Sequence, residues 1–218
     1  MGKLKLGVLV SGNGTNLQAI IDRIKEGKLS ASVEIVISDN ENAYAIERAR
    51  HGNIPVHTVS YKSFASREKA EDRVMEILGK YNVGLVVLAG YMKLLTKHFI
   101  SAFPMRIMNI HPAILPSFPG INVIQKALEH GVKFTGCTVH FIDEGADTGP
   151  IIIQAVVPVK DNDTEETLAQ RIHDKEHIIY PIAIQLFADN RLILKGRRVF
   201  VKGYEYSQRQ PSINPYNL

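Results

Sequence analysis

Cysteine is nearly missing from this chain: Cys137 stands alone among 218 residues. A single thiol cannot build a disulfide framework, and without a CxxC pair there is no zinc knuckle or dithiol redox site of that kind. That usage fits a reducing, cytoplasmic setting. Long apolar runs are missing too, since none approaches the ~18 residues that a membrane-spanning helix needs. The amino terminus sets Lys3 and Lys5 beside a short apolar stretch and could be misread as a secretion signal. Its apolar part is too short, and Ser11-Gly12-Asn13-Gly14 reads as a turn rather than a cleavage site, so Leu4–Val10 is expected to be a strand. Clustered basic charge is absent as well. The 26 lysines and arginines are spread along the chain among 22 acids, leaving a net charge of +4. A nucleic-acid binder groups its cations with aromatics. This mild, dispersed basicity points instead to an anionic small molecule, with no nucleic-acid or membrane partner.

What is present suits a globular protein. Hydrophobic residues make up 45% and charged residues 22%, too apolar for a disordered chain. The length fits one domain at about 100–200 residues per domain. Such a chain buries roughly 70% of its unfolded surface and needs no covalent or metal staple.

Apolar runs and helical patterns alternate along the chain. Leu4–Val10 reads as a buried strand. Leu17, Ile20, Ile21 and Ile24 then recur at the spacing of an amphipathic helix. Val33–Ser38 reads as a strand, Ala43–Arg50 as a helix stopped at Gly52, and Pro55–Val59 as a short strand. Ser66–Tyr81 reads as a charged helix with Val74, Ile77 and Leu78 on one face. Val83–Ala89 is continuously apolar, as a strand covered on both faces should be. Met92–Ser101 is expected to be a short helix, Arg106–Ile110 a strand and Ile121–His130 a helix. Phe134–Ile142 and Ile151–Val159 read as a strand pair, open to an antiparallel arrangement. Thr164–Asp189 is a long helix that Pro181 should kink or divide. The expected fold class is therefore α/β: a single doubly wound domain over residues 1–202, with a mostly parallel, mixed sheet. Residues 203–218 read as a loosely ordered tail.

Three segments carry candidate chemistry. In Ser11-Gly12-Asn13-Gly14-Thr15-Asn16, glycines between a strand and a helix start let amide N–H groups approach an anion, and the helix dipole favours a phosphate. A dinucleotide fingerprint is the competing reading. It requires a third glycine where Leu17 stands, although Asp39 sits where a ribose-binding acid would. In Met108-Asn109-Ile110-His111-Pro112, at the carboxyl end of a strand, positions i and i+2 face the same way. Asn109 and His111 can then share a crevice, one as a neutral donor and the other as an acid–base group; a capping strand-end histidine is the plainer alternative. The third segment, Asp143-Glu144-Gly145-Ala146-Asp147-Thr148-Gly149-Pro150, lacks the ligand spacing of an EF-hand. It reads as a solvated turn unless Asp147 folds back on His111, where a carboxylate would orient and stabilise an imidazolium.

At these segments the chain resembles the phosphoribosylglycinamide formyltransferases, folate-dependent enzymes of purine synthesis. The resemblance runs from about Leu4 to about Asp189. It is carried by SGNGTNLQAI at Ser11–Ile20, LAGYMKLL at Leu88–Leu95, MNIHPAILPSFPG at Met108–Gly120 and DEGADTGPII at Asp143–Ile152. It implies a Rossmann-like formyltransferase fold, with 10-formyltetrahydrofolate as co-substrate and no metal. Gly14, Thr15 and Asn16 would hold the phosphate of glycinamide ribonucleotide and Glu176 its ribose hydroxyls. Arg67 and Met92, Lys93, Leu94 and Leu95 would line the folate side. The loop Asp143–Asp147 would complete the pterin pocket through backbone groups, beside Asn109. Asn109, His111 and Asp147 would be the catalytic trio. Two positions depart from the family: Ala113 where Ser is frequent, and Thr148 where Gly is common.

The chemistry so implied is direct attack of the substrate amine on the formyl carbon, with no covalent enzyme intermediate. Cys137 is expected to be a buried strand residue and not a nucleophile. Methionyl-tRNA formyltransferases resemble this chain in their catalytic domain. They add a basic carboxyl-terminal domain, and only 29 residues follow Asp189 here. A formyltetrahydrofolate hydrolase usually carries an extra amino-terminal domain, whereas the first strand here starts at Leu4. A nucleotide-binding regulatory module is the non-enzyme alternative. The protein is expected to be a monomer or homodimer.

Overall fold

The computed structural model describes residues 2–204. In chain order its elements are β1 (Leu4–Val10), α1 (Thr15–Lys25), β2 (Ala31–Ser38), α2 (Tyr44–His51), β3 (Val56–Thr58), a 3-10 turn (Tyr61–Ser63), α3 (Arg67–Lys80), β4 (Leu85–Leu88), α4 (Lys97–Ala102) and β5 (Ile107–His111). There follow α5 (Val123–Glu129), β6 (Phe134–Phe141), β7 (Ile151–Pro158), α6 (Glu165–Ala188), β8 (Leu192–Lys195) and β9 (Arg198–Val201). Seven strands form one sheet in the order β3-β2-β1-β4-β5-β6-β7. The first five are parallel, and β6 runs antiparallel to both of its neighbours. This is the doubly wound, mixed sheet expected from the alternation of strands and helices.

Residue alternation decides which face each side chain serves. Leu6, Val8 and Val10 of β1, Leu85 and Val87 of β4, and Met108 and Ile110 of β5 join the core beneath α1, α2 and α6. Their neighbours Leu9, Val86, Leu88 and Ile107 join the core beneath α3 and α4. Full burial of one such side chain is worth ~1.5–3 kcal/mol. Gly7 allows α3 its close approach, since a Cβ there would come 2.4 Å from Leu78 Cδ2. Asn109 and His111 share the parity of Ile107 and so project on the α3/α4 face, at the carboxyl edge where open α/β sheets bind ligands.

The structure corrects the sequence reading in three places. Met92–Thr96 is not helical; α4 begins only at Lys97. Thr96 is its N-cap, accepting from the Phe99 N–H at 3.4 Å, while its own N–H and hydroxyl are spent on buried Glu71. Pro181 does not divide α6, which runs unbroken for 24 residues. Ile179, Tyr180, Ala183 and Ile184 are buried around the proline, and the Tyr180 hydroxyl lies 2.9 and 2.8 Å from the carbonyls of Leu88 and Met108. That anchoring offsets the lost helix bond. Finally, β8 and β9 form a hairpin where the sequence reading had no strands. Of the tail expected at 203–218, residues 205–218 lie outside the described residues. Cys137 is buried on β6, as expected.

Candidate active site

Antiparallel pairing of β5 with β6 sets Asn109 opposite His140 and His111 opposite Thr138. The Asn109 Nδ2–H donates to His140 Nε2 at 3.2 Å, and His140 Nδ1 lies 2.9 Å from the Phe141 carbonyl. These partners assign His140 as the neutral tautomer protonated at Nδ1. Burial, which disfavours the charged ring, lowers the pKa of His140 in agreement. The sequence reading did not single out His140. Its only signal was its place in a strand pair whose register was not yet known.

Asp147 folds back on His111, as the third segment required. Its Oδ2 lies 3.5 Å from His111 Nδ1, and its Oδ1 lies 3.8 Å from His140 Nε2. The Gly120 N–H also donates to Oδ2, at 2.9 Å. The Asp147 backbone is left-handed, at φ 55°, a conformation that aspartate tolerates better than most residues. The other ring nitrogen of His111, Nε2, lies 2.8 Å from the Phe118 carbonyl, which needs a proton there. A second ring proton, at Nδ1, would face the carboxylate. The three chain segments thus form one connected polar cluster: Asn109–His140–Asp147–His111.

The turn before α1 has the features of an anion site. Gly14 is left-handed at φ 76°, and a Cβ there would lie 2.6 Å from Ala45 Cβ, so the position demands glycine. Among the described residues no side chain caps α1, which leaves its first N–H groups for a ligand. Arg48 braces the turn through bonds to the Asn13 carbonyl (2.8 Å) and Asn13 Oδ1 (2.9 Å). Sequence reasoning missed this arginine, because α2 reaches the turn only in three dimensions. A cleft of about 390 Å³ opens beside Thr15, Gln18, Arg48 and His177. The Asn16 side chain turns inward and donates to Glu176 Oε2 at 2.9 Å, leaving Asn16 Oδ1 buried without a partner among the described residues. Desolvation pushes the Glu176 carboxyl up to about 7, against the pull of the Asn16 bond.

On the folate side of the sequence reading, Arg67 donates to the Leu94 carbonyl. Met92 and Leu94 are exposed, and Leu95 packs against the α3/α4 core. The Met92 N–H donates to Ser11 Oγ at 2.9 Å, joining this segment to the end of β1. Lys93 pairs with Asp39 at 3.5 Å. The residue that could have served as a dinucleotide's ribose acid is therefore engaged by a lysine. Asp143 accepts from Thr148 Oγ1 and the Gly145 N–H within the loop that carries Asp147.

A doubly wound sheet with an amide–imidazole–carboxylate cluster at its carboxyl edge, and a glycine-turn helix start after β1, has the architecture of an α/β enzyme. The chain belongs to the formyl transferase family, whose model matches residues 4–184. It is 41% identical over 208 residues to phosphoribosylglycinamide formyltransferase of Escherichia coli (strain K12), covering 92% of this chain and 98% of that protein. It is 40% identical over 202 residues to the trifunctional purine biosynthetic protein adenosine-3 of Homo sapiens, spanning 92% of this chain and 20% of that one. Among solved structures, glycinamide ribonucleotide transformylase 1 from Symbiobacterium toebii matches at a TM-score of 0.90 and 50% identity, covering 92% of this chain and 94% of that chain. Among the described residues, no helix is long and apolar enough to cross a membrane.

Proposed function

We propose that this enzyme moves the formyl group of 10-formyltetrahydrofolate to the amino group of glycinamide ribonucleotide, in purine biosynthesis. The observation that carries the chemistry is the approach of Asp147 to His111, beside an asparagine fixed by His140. The N–H groups at the start of α1, from Gly14, Thr15 and Asn16, take the phosphate. Glu176 accepts the ribose hydroxyls once ionised. Arg67, Met92, Lys93, Leu94 and Leu95, with the loop Asp143–Asp147, border the folate.

In this reading the substrate amine attacks the formyl carbon and a C–N bond forms. Electron density moves onto the formyl oxygen, where the second N–H of Asn109 and the Nε2–H of His111 receive it. The formyl oxygen competes for that Nε2–H with the Phe118 carbonyl, which holds it in the free protein. A preorganised donor of this kind contributes ~3–4 kcal/mol to the barrier reduction. The tetrahedral centre collapses, the bond to the folate nitrogen breaks, and that nitrogen takes up a proton. The attacking amine gives up the balancing proton toward Asp147, directly or through water. No covalent enzyme intermediate forms, and Cys137 takes no part.

The test is incubation of the protein with 10-formyltetrahydrofolate and glycinamide ribonucleotide, following tetrahydrofolate and the formylated nucleotide. Equal amounts of both are expected, with no turnover when the nucleotide is left out. Tetrahydrofolate formation with water alone would identify a hydrolase. Turnover only with aminoacyl-tRNA would identify a tRNA formyltransferase.

A further inference from the structure

The β8–β9 hairpin lies beyond residues 4–184, and nothing in the proposed chemistry uses it. Its turn nevertheless reaches the active site loop. Arg197 Nη2 donates to the Thr148 carbonyl at 2.6 Å, one residue past Asp147. This is a charge-assisted bond, of the stronger kind. Thr148 is held at its other end as well, since its Oγ1 donates to Asp143 Oδ1 at 2.6 Å. The loop is shaped around that bond. A Cβ at Gly145 would fall 2.0 Å from Thr148 Oγ1, and a Cβ at Gly149 would fall 1.8 Å from the Phe141 carbonyl oxygen. Between these fixed points Asp147 keeps its left-handed backbone. Such a conformation persists only where the surroundings over-determine it.

We infer that Arg197 and Thr148 are positioning residues, clamping the Asp143–Gly149 loop so that the Asp147 carboxylate stays against His111. Neither residue touches the reacting groups; both act through the backbone on either side of Asp147. The hairpin thereby becomes part of the catalytic apparatus, and Thr148 supplies a hydroxyl that glycine at that position would lack. The effect on turnover rests on the proposed function, whereas the effect on loop geometry does not.

The Gly120 amide reports the position of Asp147 independently of activity, because it donates to the same carboxylate oxygen that faces His111. Arg197→Ala and Thr148→Val should each speed hydrogen exchange at the Gly120 amide by about tenfold, leaving the β1 amides unchanged. In the transfer assay each should lower kcat by about tenfold while KM for glycinamide ribonucleotide stays within about twofold. Arg197→Lys should restore most of both losses. Wild-type Gly120 exchange in both variants would overturn the inference. So would a rate loss that lysine does not rescue, or one that appears in KM instead of kcat. If wild-type protein transfers no formyl group while Gly120 still responds to both variants, the functional reading falls and the clamp stands.

Discussion

Asp147 divides two oxygens among three neighbours: Oδ2 serves His111 and the Gly120 amide, and Oδ1 approaches His140. Replacing it with asparagine keeps the shape and removes the charge that would face a second proton on His111. The Asp147→Asn variant should lose about two to three orders of magnitude in kcat, read from initial rates at saturating substrates. An unchanged rate would break the link between carboxylate and imidazole. Asn109 donates one N–H to His140, and in the proposed reaction the other N–H meets the formyl oxygen. Asn109→Ala should therefore cost about 100-fold in kcat, and a loss below about tenfold in the same assay would deny it the role of oxyanion donor. His140 is the residue that fixes this geometry. Nothing in local sequence marks it, because its partner lies 31 positions away and the pairing depends on how β6 docks.

At the scale of elements, α6 carries the clearest pH signature. Glu176 is buried and accepts a bond from Asn16, and its carboxyl is raised to about 7 from an ordinary 4.5. The native state then holds this proton to higher pH than the unfolded chain does. The resulting stabilisation is complete below about pH 4.5, declines as pH rises, and is gone above about pH 7. Its size is on the order of 3 kcal/mol. Glu176→Gln imitates the protonated form, so the wild-type melting temperature should fall from pH 5 to pH 8 relative to that variant. Parallel melting curves would contradict the assignment. Most strands of the sheet were legible in the sequence because apolar runs such as Leu4–Val10 report burial directly. The late start of α4 at Thr96 was not, since the Thr96 N–H is held by Glu71, 25 residues away. Unbroken helix through Pro181 was equally hidden, because the anchoring of Tyr180 on β4 and β5 is tertiary. The hairpin was missed for a different reason. Ile193, Leu194 and Phe200 are exposed, so its short strands lack the buried alternation that a strand reading uses. The trio Asn109, His111 and Asp147 came from segment positions and from family resemblance together, whereas Arg48 and His140 required coordinates.

The two cores of the whole molecule are not separable bodies. Consecutive residues of β1, β4 and β5 point into opposite cores: Val8 against Leu9, Val87 against Val86, Met108 against Ile107. Unfolding one core strips the shared strands of half their burial and releases the parallel pairing that aligns the other half. Asn109 and His111 of the active site cluster sit on β5, one of these shared strands, so the cluster cannot outlast either core. Phe99→Ala, in the α3/α4 core, and Leu17→Ala, in the α1/α6 core, each remove a fully buried side chain. Each should cost about 2–5 kcal/mol. Both should lower the midpoint of one urea transition without changing its slope, because the slope follows the surface exposed and that surface is the whole sheet. Circular dichroism and tyrosine fluorescence, the latter uncomplicated by tryptophan in this chain, should give coincident curves for wild type and both variants. A variant whose two probes separate, with one core melting before the other, would show that the strands do not couple the faces.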